Sequence, residues 1–414
     1  MERHPNAEQL PRSDLKSVRL VNKQWSAIAA TVLWSHLAID LPKPETPTHS
    51  LDTLLGSYPN GFLDNIKKIT TTDKPPSLMT LRATLSLLKS LGALPRDCLR
   101  LFSSRHHKLD RIALCLLLRT QSQIGVMILS LGEDEPRGLP GATYVRGNLS
   151  NLHKLHLLVR DTLQGLTEWC IHAPVLRDLH VEHADRGDLS HFAGWATATD
   201  SVQLKLRSLK FTRLDLSSFT PDVDTSLLDL AFLERITFER CVSAGPLMRS
   251  LTKGYKTVTT SSLKYFRLTS SFVPEDLCRA TEELFKLING LEHIILGRTA
   301  TGLPSLTCLQ RSSACLKLVD FEASNERQIY SPAELEQFNS CIHLKNIRLS
   351  ISELRSVVDV LGPFEPCKLS AFQHLEESLV SHSFMILVHL SLTILQATLA
   401  RHPTLQTLII TSNP

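Results

Sequence analysis

The chain has 414 residues, 43% apolar and 21% charged, the ordinary balance of a folded soluble protein. Its formal net charge is only +4 and no basic block is written in it, which argues against a duplex-binding surface. The length exceeds what one compact core accommodates, so an extended or repetitive architecture is expected.

Residues 1–9 are polar and carry no apolar run of the kind a signal peptide needs. Ser13 or Asp14 can then cap a helix, because either side chain accepts bonds from its unpaired first-turn amides. Leu15, Val18, Val21 and Trp25 recur at three- and four-residue steps and fall on one helical face. Ile28, Ala29, Val32 and Leu33 extend the apolar stripe into a second short helix. Two helices of this length bury little surface alone and need a third helix, the next domain or a partner.

The string DLKSVRLVNKQWSAIAATVLWSHL, with its D-L, its V-x-K-x-W core and its L-W close, resembles the second half of an F-box, as found in fungal-type F-box proteins. The resemblance covers about thirty residues. It implies a helical lid on the Skp-type adaptor of a cullin–RING ubiquitin ligase, with Leu15, Val18, Val21, Trp25 and Leu33 forming the F-box core and part of the adaptor contact. The family's opening L-P-x-E-I helix has no counterpart in the nine residues before Leu10-Pro11, which look like its later L-P-R-S-D-L element. Two readings stay open beside an ordinary amphipathic helix pair: a truncated F-box that docks the adaptor, and a repeat scaffold that no longer does.

Residues 41–50 read LPKPETPTHS, and Pro42, Pro44 and Pro47 deny that stretch a continuous helix or ladder. The expected organisation is therefore partial F-box helices over 1–40, a Pro-containing linker over 41–62 and a repeat domain over 63–414.

Within that domain one pattern recurs, L-x-x-L-x-L with conservative swaps. It starts at Leu152, Leu176, Leu206, Leu233, Leu263, Leu291, Leu316 and Leu344, at steps of 24 to 30 residues. Further copies start at Leu109, Leu387 and Leu405, and the assignment over 353–404 is open. Steps of this length are close to those of leucine-rich repeats, in which each copy supplies one short parallel strand and the rest returns the chain. Such repeats favour Asn or Cys three residues past the third apolar position; here Cys241, Ser271, Thr299, Ser324, Ser352 and Asn413 stand there, while other copies carry Arg160, Ala184 and Leu214, a degenerate ladder. Helical periodicity marks 77–94, 277–288 and 333–338. The fold class is thus α/β: a short N-terminal helical F-box remnant, then a leucine-rich-repeat solenoid with parallel strands on the concave face and helices outside.

The nine cysteines are irregularly spaced with no C-x-x-C pair, which points to reduced, mostly buried thiols and a cytoplasmic or nuclear setting. The most apolar stretch, 112–131, is broken by Arg119, Gln121 and Gln123, so no membrane span is expected. No phosphate-binding glycine loop and no G-x-S-x-G elbow occurs, and no catalytic residue or cofactor site is assigned. His153 with His156, and His180 with His183, are each three apart on one strand and point to opposite faces, so neither pair shares a metal and no metal site is assigned.

In an L-x-x-L-x-L strand the residues flanking the second leucine point away from the core. The position after it reads His156, His180, Lys210, Thr237, Arg267, Ile295, Asp320 and Arg348, a broken basic ridge whose neighbours lie within one screening length. Arg235 lies one step back, before the second apolar residue. His156, His180, Lys210, Arg235, Arg267 and Arg348 are therefore the expected substrate-contacting residues, and an acidic or phosphorylated protein segment the expected ligand. Taken with the F-box resemblance, the expectation is a non-enzymatic substrate receptor of a Skp–cullin–F-box ubiquitin ligase, with no nucleic-acid or membrane partner; the alternative is a leucine-rich-repeat scaffold that no longer binds the adaptor.

Overall fold

A computed structural model describes residues 29, 31–32, 35–39, 65–71, 91–92, 94–108, 111–130, 147–159, 166–183, 190–191, 203–217, 228–269, 275–299, 305–323, 341, 343, 346–350 and 407–411. Leu15, Val18, Val21, Trp25 and Leu33, the linker 41–62, the copy at Leu387 and the helix expected over 333–338 lie outside the described residues. The chain forms two compact units, Met1–Lys205 and Leu206–Pro414.

In the first unit six strands follow one another as parallel neighbours: β1 (His36–Ile39), β2 (Lys68–Thr71), β3 (Leu101–Lys108), β4 (Val126–Ser130), β5 (Lys154–Val159) and β6 (Asp178–His183). Helices α1 (Arg111–Thr120) and α2 (Leu166–His172) return the chain from β3 to β4 and from β5 to β6. A two-residue strand, β7 (Ser190–His191), follows.

The second unit repeats the scheme. Strands β8 (Ser208–Thr212), β10 (Arg235–Glu239), β11 (Tyr265–Thr269), β12 (His293–Thr299), β13 (Leu318–Ala323), β14 (Asn346–Ser350) and β15 (Thr407–Thr411) pair in parallel in that order. The short β9 (Leu214–Asp215) bridges in parallel to Val242. Helix α3 (Gly245–Tyr255) joins β10 to β11, and α4 (Glu275–Leu287) joins β11 to β12. A 3-10 turn over Leu306–Ser312 joins β12 to β13, with the Ser305 side chain accepting from the Thr307 amide at its start. Each unit is thus a stack of strand-and-return repeats, the arrangement of an α/β solenoid.

The leucine pattern explains the strands. The leading residue of each copy (Leu152, Leu176, Leu206, Leu233, Leu263, Leu291, Leu316) is buried in the turn just before the strand. The second and third apolar residues, such as Leu155 and Leu157, Ile236 and Phe238, or Phe266 and Leu268, are buried on one face. Side chains alternate along a strand, so the residue between them is turned to the other face. Burying each such side chain contributes about 1.5–3 kcal/mol, but only when the next repeat covers it.

Register is locked at the strand entrances. One backbone carbonyl per repeat accepts two successive amides of the next repeat: Gly125 from His153 and Lys154, His153 from Arg177 and Asp178, Glu234 from Lys264 and Tyr265, Lys264 from Glu292 and His293. The equivalent side chains in the second unit alternate in sign through Arg207, Glu234, Lys264, Glu292 and Lys317. Lys317 Nζ reaches Glu292 Oε2 at 2.6 Å, and Arg207 Nε lies 3.7 Å from Glu234 Oε1. A slip by one repeat would set like charges side by side.

Two expectations need correction. The copy read at Leu109 is not a strand: residues 111–120 form α1, whose Ala113, Leu114, Leu117 and Leu118 are buried at helical spacing. The strands on either side are β3 and β4, whose core positions Leu99, Phe102 and Ser104, and Ile124, Met127 and Leu129, hold too few leucines to display the pattern. Secondly, β1 lies inside the segment read as F-box helix and pairs with β2, so the parallel sheet begins ahead of the Pro-containing stretch. The helix expected over 277–288 is found as α4. Of the helix expected over 77–94, only the helical pair 91–92 and residue 94 are described.

Candidate functional site: the open face of the sheet

Ladder pairing carries the residues between the two core positions into rows. In the first unit Ser103, Ile128, His156 and His180 are successive ladder partners. In the second, Lys210, Thr237, Arg267, Ile295, Asp320 and Arg348 are. Each row has the spacing of paired strands, about 4.8 Å. Ser208, Arg235, Tyr265 and His293 form the parallel row one strand step back.

Arg235 is exposed and lays its guanidinium over the Tyr265 ring, 5.6 Å from the centroid. Tyr265 meets the His293 ring edge-on at 6.1 Å. Burial holds the His293 pKa below its ordinary value, against the pull of the Glu292 carboxylate, with Lys317 and Arg235 adding to the depression. The row is therefore a cation–aromatic–imidazole surface, polar at its rim and apolar at its centre.

The basic ridge is not bare, which corrects the expectation of summed positive potentials. Glu239 stands two residues past Thr237 on the same face, and its carboxylate takes Lys210 Nζ at 2.6 Å and Arg267 Nη1 at 3.3 Å. In the first unit Glu182 does the same for the histidines. Period-two alternation puts Glu182 on the face of His180 and Glu239 on the face of Thr237, one step beyond the two positions that flank the second apolar residue.

The His156 and His180 rings stack with centroids 3.9 Å apart and planes 17° apart. His156 Nε2 is 3.0 Å from Glu182 Oε2, His180 Nε2 is 3.8 Å from it, and Arg105 Nη2 is 3.8 Å from it. The hydrogen bond from His156, with the charges of His180 and Arg105, outweighs burial and brings the Glu182 carboxyl down to about 2. In β6 the buried His183 and the partly exposed His180 do face opposite ways, whereas His153 lies in the turn before β5; it is the register of β5 on β6 that brings His156 and His180 together.

Three of the thiols are placed for packing. Cys170, Cys241 and Cys308 are buried and their pKa values are pushed up to about 12, which removes the thiolate a nucleophile needs. Cys241, at the expected offset past β10, directs its Sγ to the Glu239 carbonyl at 3.6 Å, the side-chain-to-backbone contact expected there. No described helix is long and apolar enough to cross a membrane.

No family model matches the chain, and no curated protein does. Among solved structures it is similar to a leucine-rich-repeat protein of Leptospira interrogans, with 14% identity, 71% of this chain and 86% of that chain covered, and a TM-score of 0.24. The fold is defined by the parallel ladders described above.

Proposed function

We propose that the protein binds other proteins through the open face of its repeat sheet, and that it serves as a substrate receptor of a Skp–cullin–F-box ubiquitin ligase. The observation that supports the binding role is the row geometry. Within each unit, the positions flanking the second apolar residue of each repeat are delivered by backbone register to an open face, carrying Lys210, Arg267, Arg235 and Tyr265 in the second unit and His156 and His180 in the first. A rigid sheet of this kind presents a ready surface and orders little on binding.

The ligase role rests on the F-box resemblance at Leu15, Val18, Val21, Trp25 and Leu33. In that role the protein performs no chemical step itself: ubiquitin transfer belongs to other subunits, and this chain raises the effective concentration of the target. The neutralising carboxylate of Glu239 favours a partner that matches alternating charge rather than a uniformly acidic one, since displacing an existing ion pair offsets the gain from a new one.

The test is capture of a purified Skp-type adaptor by the full chain, comparing wild type with Trp25→Ala and Val18→Asp. Capture by wild type that falls at least tenfold in both variants is the expected result. Absence of capture by wild type would leave the chain as a repeat scaffold that engages no adaptor.

A further inference from the structure

His156, His180 and Glu182 converge more closely than the protein-binding reading requires. His156 comes from β5, and His180 and Glu182 come from β6, two strands in unbroken register from Lys154–Asp178 to Val159–His183. Their donor atoms all lie within 4.8 Å of one another. The side chains are only 12%, 21% and 12% exposed, so the donors are held by a stiff backbone and partly shielded from water.

Two imidazole nitrogens and one carboxylate oxygen are the donor set of zinc and neighbouring first-row ions; calcium and magnesium call for oxygen alone. An ion about 2.0–2.2 Å from each donor sets the donors roughly 3.0–3.5 Å apart. The His156–Glu182 separation of 3.0 Å already meets that requirement, and His180, at 3.8 Å, needs to close by a few tenths of an ångström. The stacked rings must also tip apart so that their lone pairs converge, a motion open to the more exposed His180. Arg105, the competing cation, is 52% exposed and only 3.8 Å from the carboxylate at its tip, so it can withdraw into water.

We propose that His156 Nε2, His180 Nε2 and Glu182 Oε2 bind one divalent first-row transition ion, zinc being the type, on the open face of the first unit. Three protein ligands leave a coordination position facing outward, available to water or to a carboxylate or histidine of a bound partner. The ion takes the place of the proton shared between His156 and Glu182. Binding therefore releases one proton from each histidine that is charged, and it weakens as the pH falls.

The experiment uses the full chain, stripped with a chelator and dialysed, titrated with Zn²⁺ by calorimetry and with Co²⁺ as a visible-absorption probe. One equivalent is expected to bind to wild type. His180→Ala and Glu182→Gln each weaken it by about tenfold or more. His153→Ala, on the exposed turn before β5, leaves it unchanged, and circular dichroism verifies that each variant is folded. X-ray absorption of the zinc-loaded wild type, which needs no variant, is expected to show a nitrogen and oxygen shell with imidazole scattering. Failure of wild type to bind, retention of full affinity by both His180→Ala and Glu182→Gln, or a sulfur-dominated shell would each overturn the proposal.

Discussion

Buried polar side chains in this protein act as rivets between neighbouring repeats. Gln121 is fully buried at the end of α1, where its Oε1 accepts from the Leu99 amide at 3.0 Å and its Nε2 donates to the Pro95 carbonyl at 2.8 Å. Ser312, also fully buried, donates to the Ile288 carbonyl at 3.0 Å and accepts from the Leu291 amide at 3.3 Å. Both satisfy backbone groups in turns where no ladder reaches them. Glu182 carries a charge into a comparable position, and its depressed carboxyl pKa has a consequence for stability. The folded-state value of about 2 lies below the ordinary 4.5, so the unfolded chain binds the proton more readily. The stabilisation is complete above pH 4.5 and is lost as the pH falls towards 2. In chelator-treated protein, the urea midpoint of wild type should therefore decline more steeply over that window than that of Glu182→Gln. Parallel curves would show that the carboxylate adds no pH-dependent stability.

At the scale of elements, the second unit is organised by aromatic packing. Phe211, Phe238 and Phe266 are all fully buried, with ring centroids 6.1 Å apart from Phe211 to Phe238 and 6.5 Å apart from Phe238 to Phe266. Phe285 of α4 meets Phe266 edge-on at 5.0 Å, so one ring ties the sheet to the helix layer. Helices α3 and α4 are joined by Arg249 and Asp276 at 3.1 Å, but that pair is exposed and contributes little. Replacing Phe266 by alanine leaves a cavity between strand and helix and should cost about 3–5 kcal/mol, read from the chemical denaturation of the full chain. Asp276→Ala in the same assay should cost less than about 1 kcal/mol. An equal loss in the two variants would contradict the assignment of stability to the core. The positions of the strands were legible wherever the apolar triplet was intact, as in LRSLKF, LERITF and LKYFRL. It was not legible at β3, where Phe102 and Ser104 stand in the core, because a serine at a buried position breaks the hydrophobic pattern while still fitting the space.

On the scale of the molecule, stability in each unit is a sum over neighbouring repeats, since every strand pairs only with the strands before and after it. Damage should therefore stay local. In the Phe266→Ala protein, amide exchange should accelerate most in β10, β11 and β12 and less in β13, within the same unit. Uniform acceleration across those strands would instead indicate one cooperative core. The amino-acid sequence alone determined the repeat step and the positions of β5, β6, β8 and β10 to β15, because a leucine triplet is a local property of the chain. Which charges meet was decided only by tertiary structure. Lys210 and Arg267 are 57 residues apart and share Glu239, which lies on the strand between theirs, while His156 and His180 converge on Glu182. Such meetings depend on the register between strands, set by hydrogen bonds at the strand entrances and by packing behind the sheet, and neither is written in any single repeat.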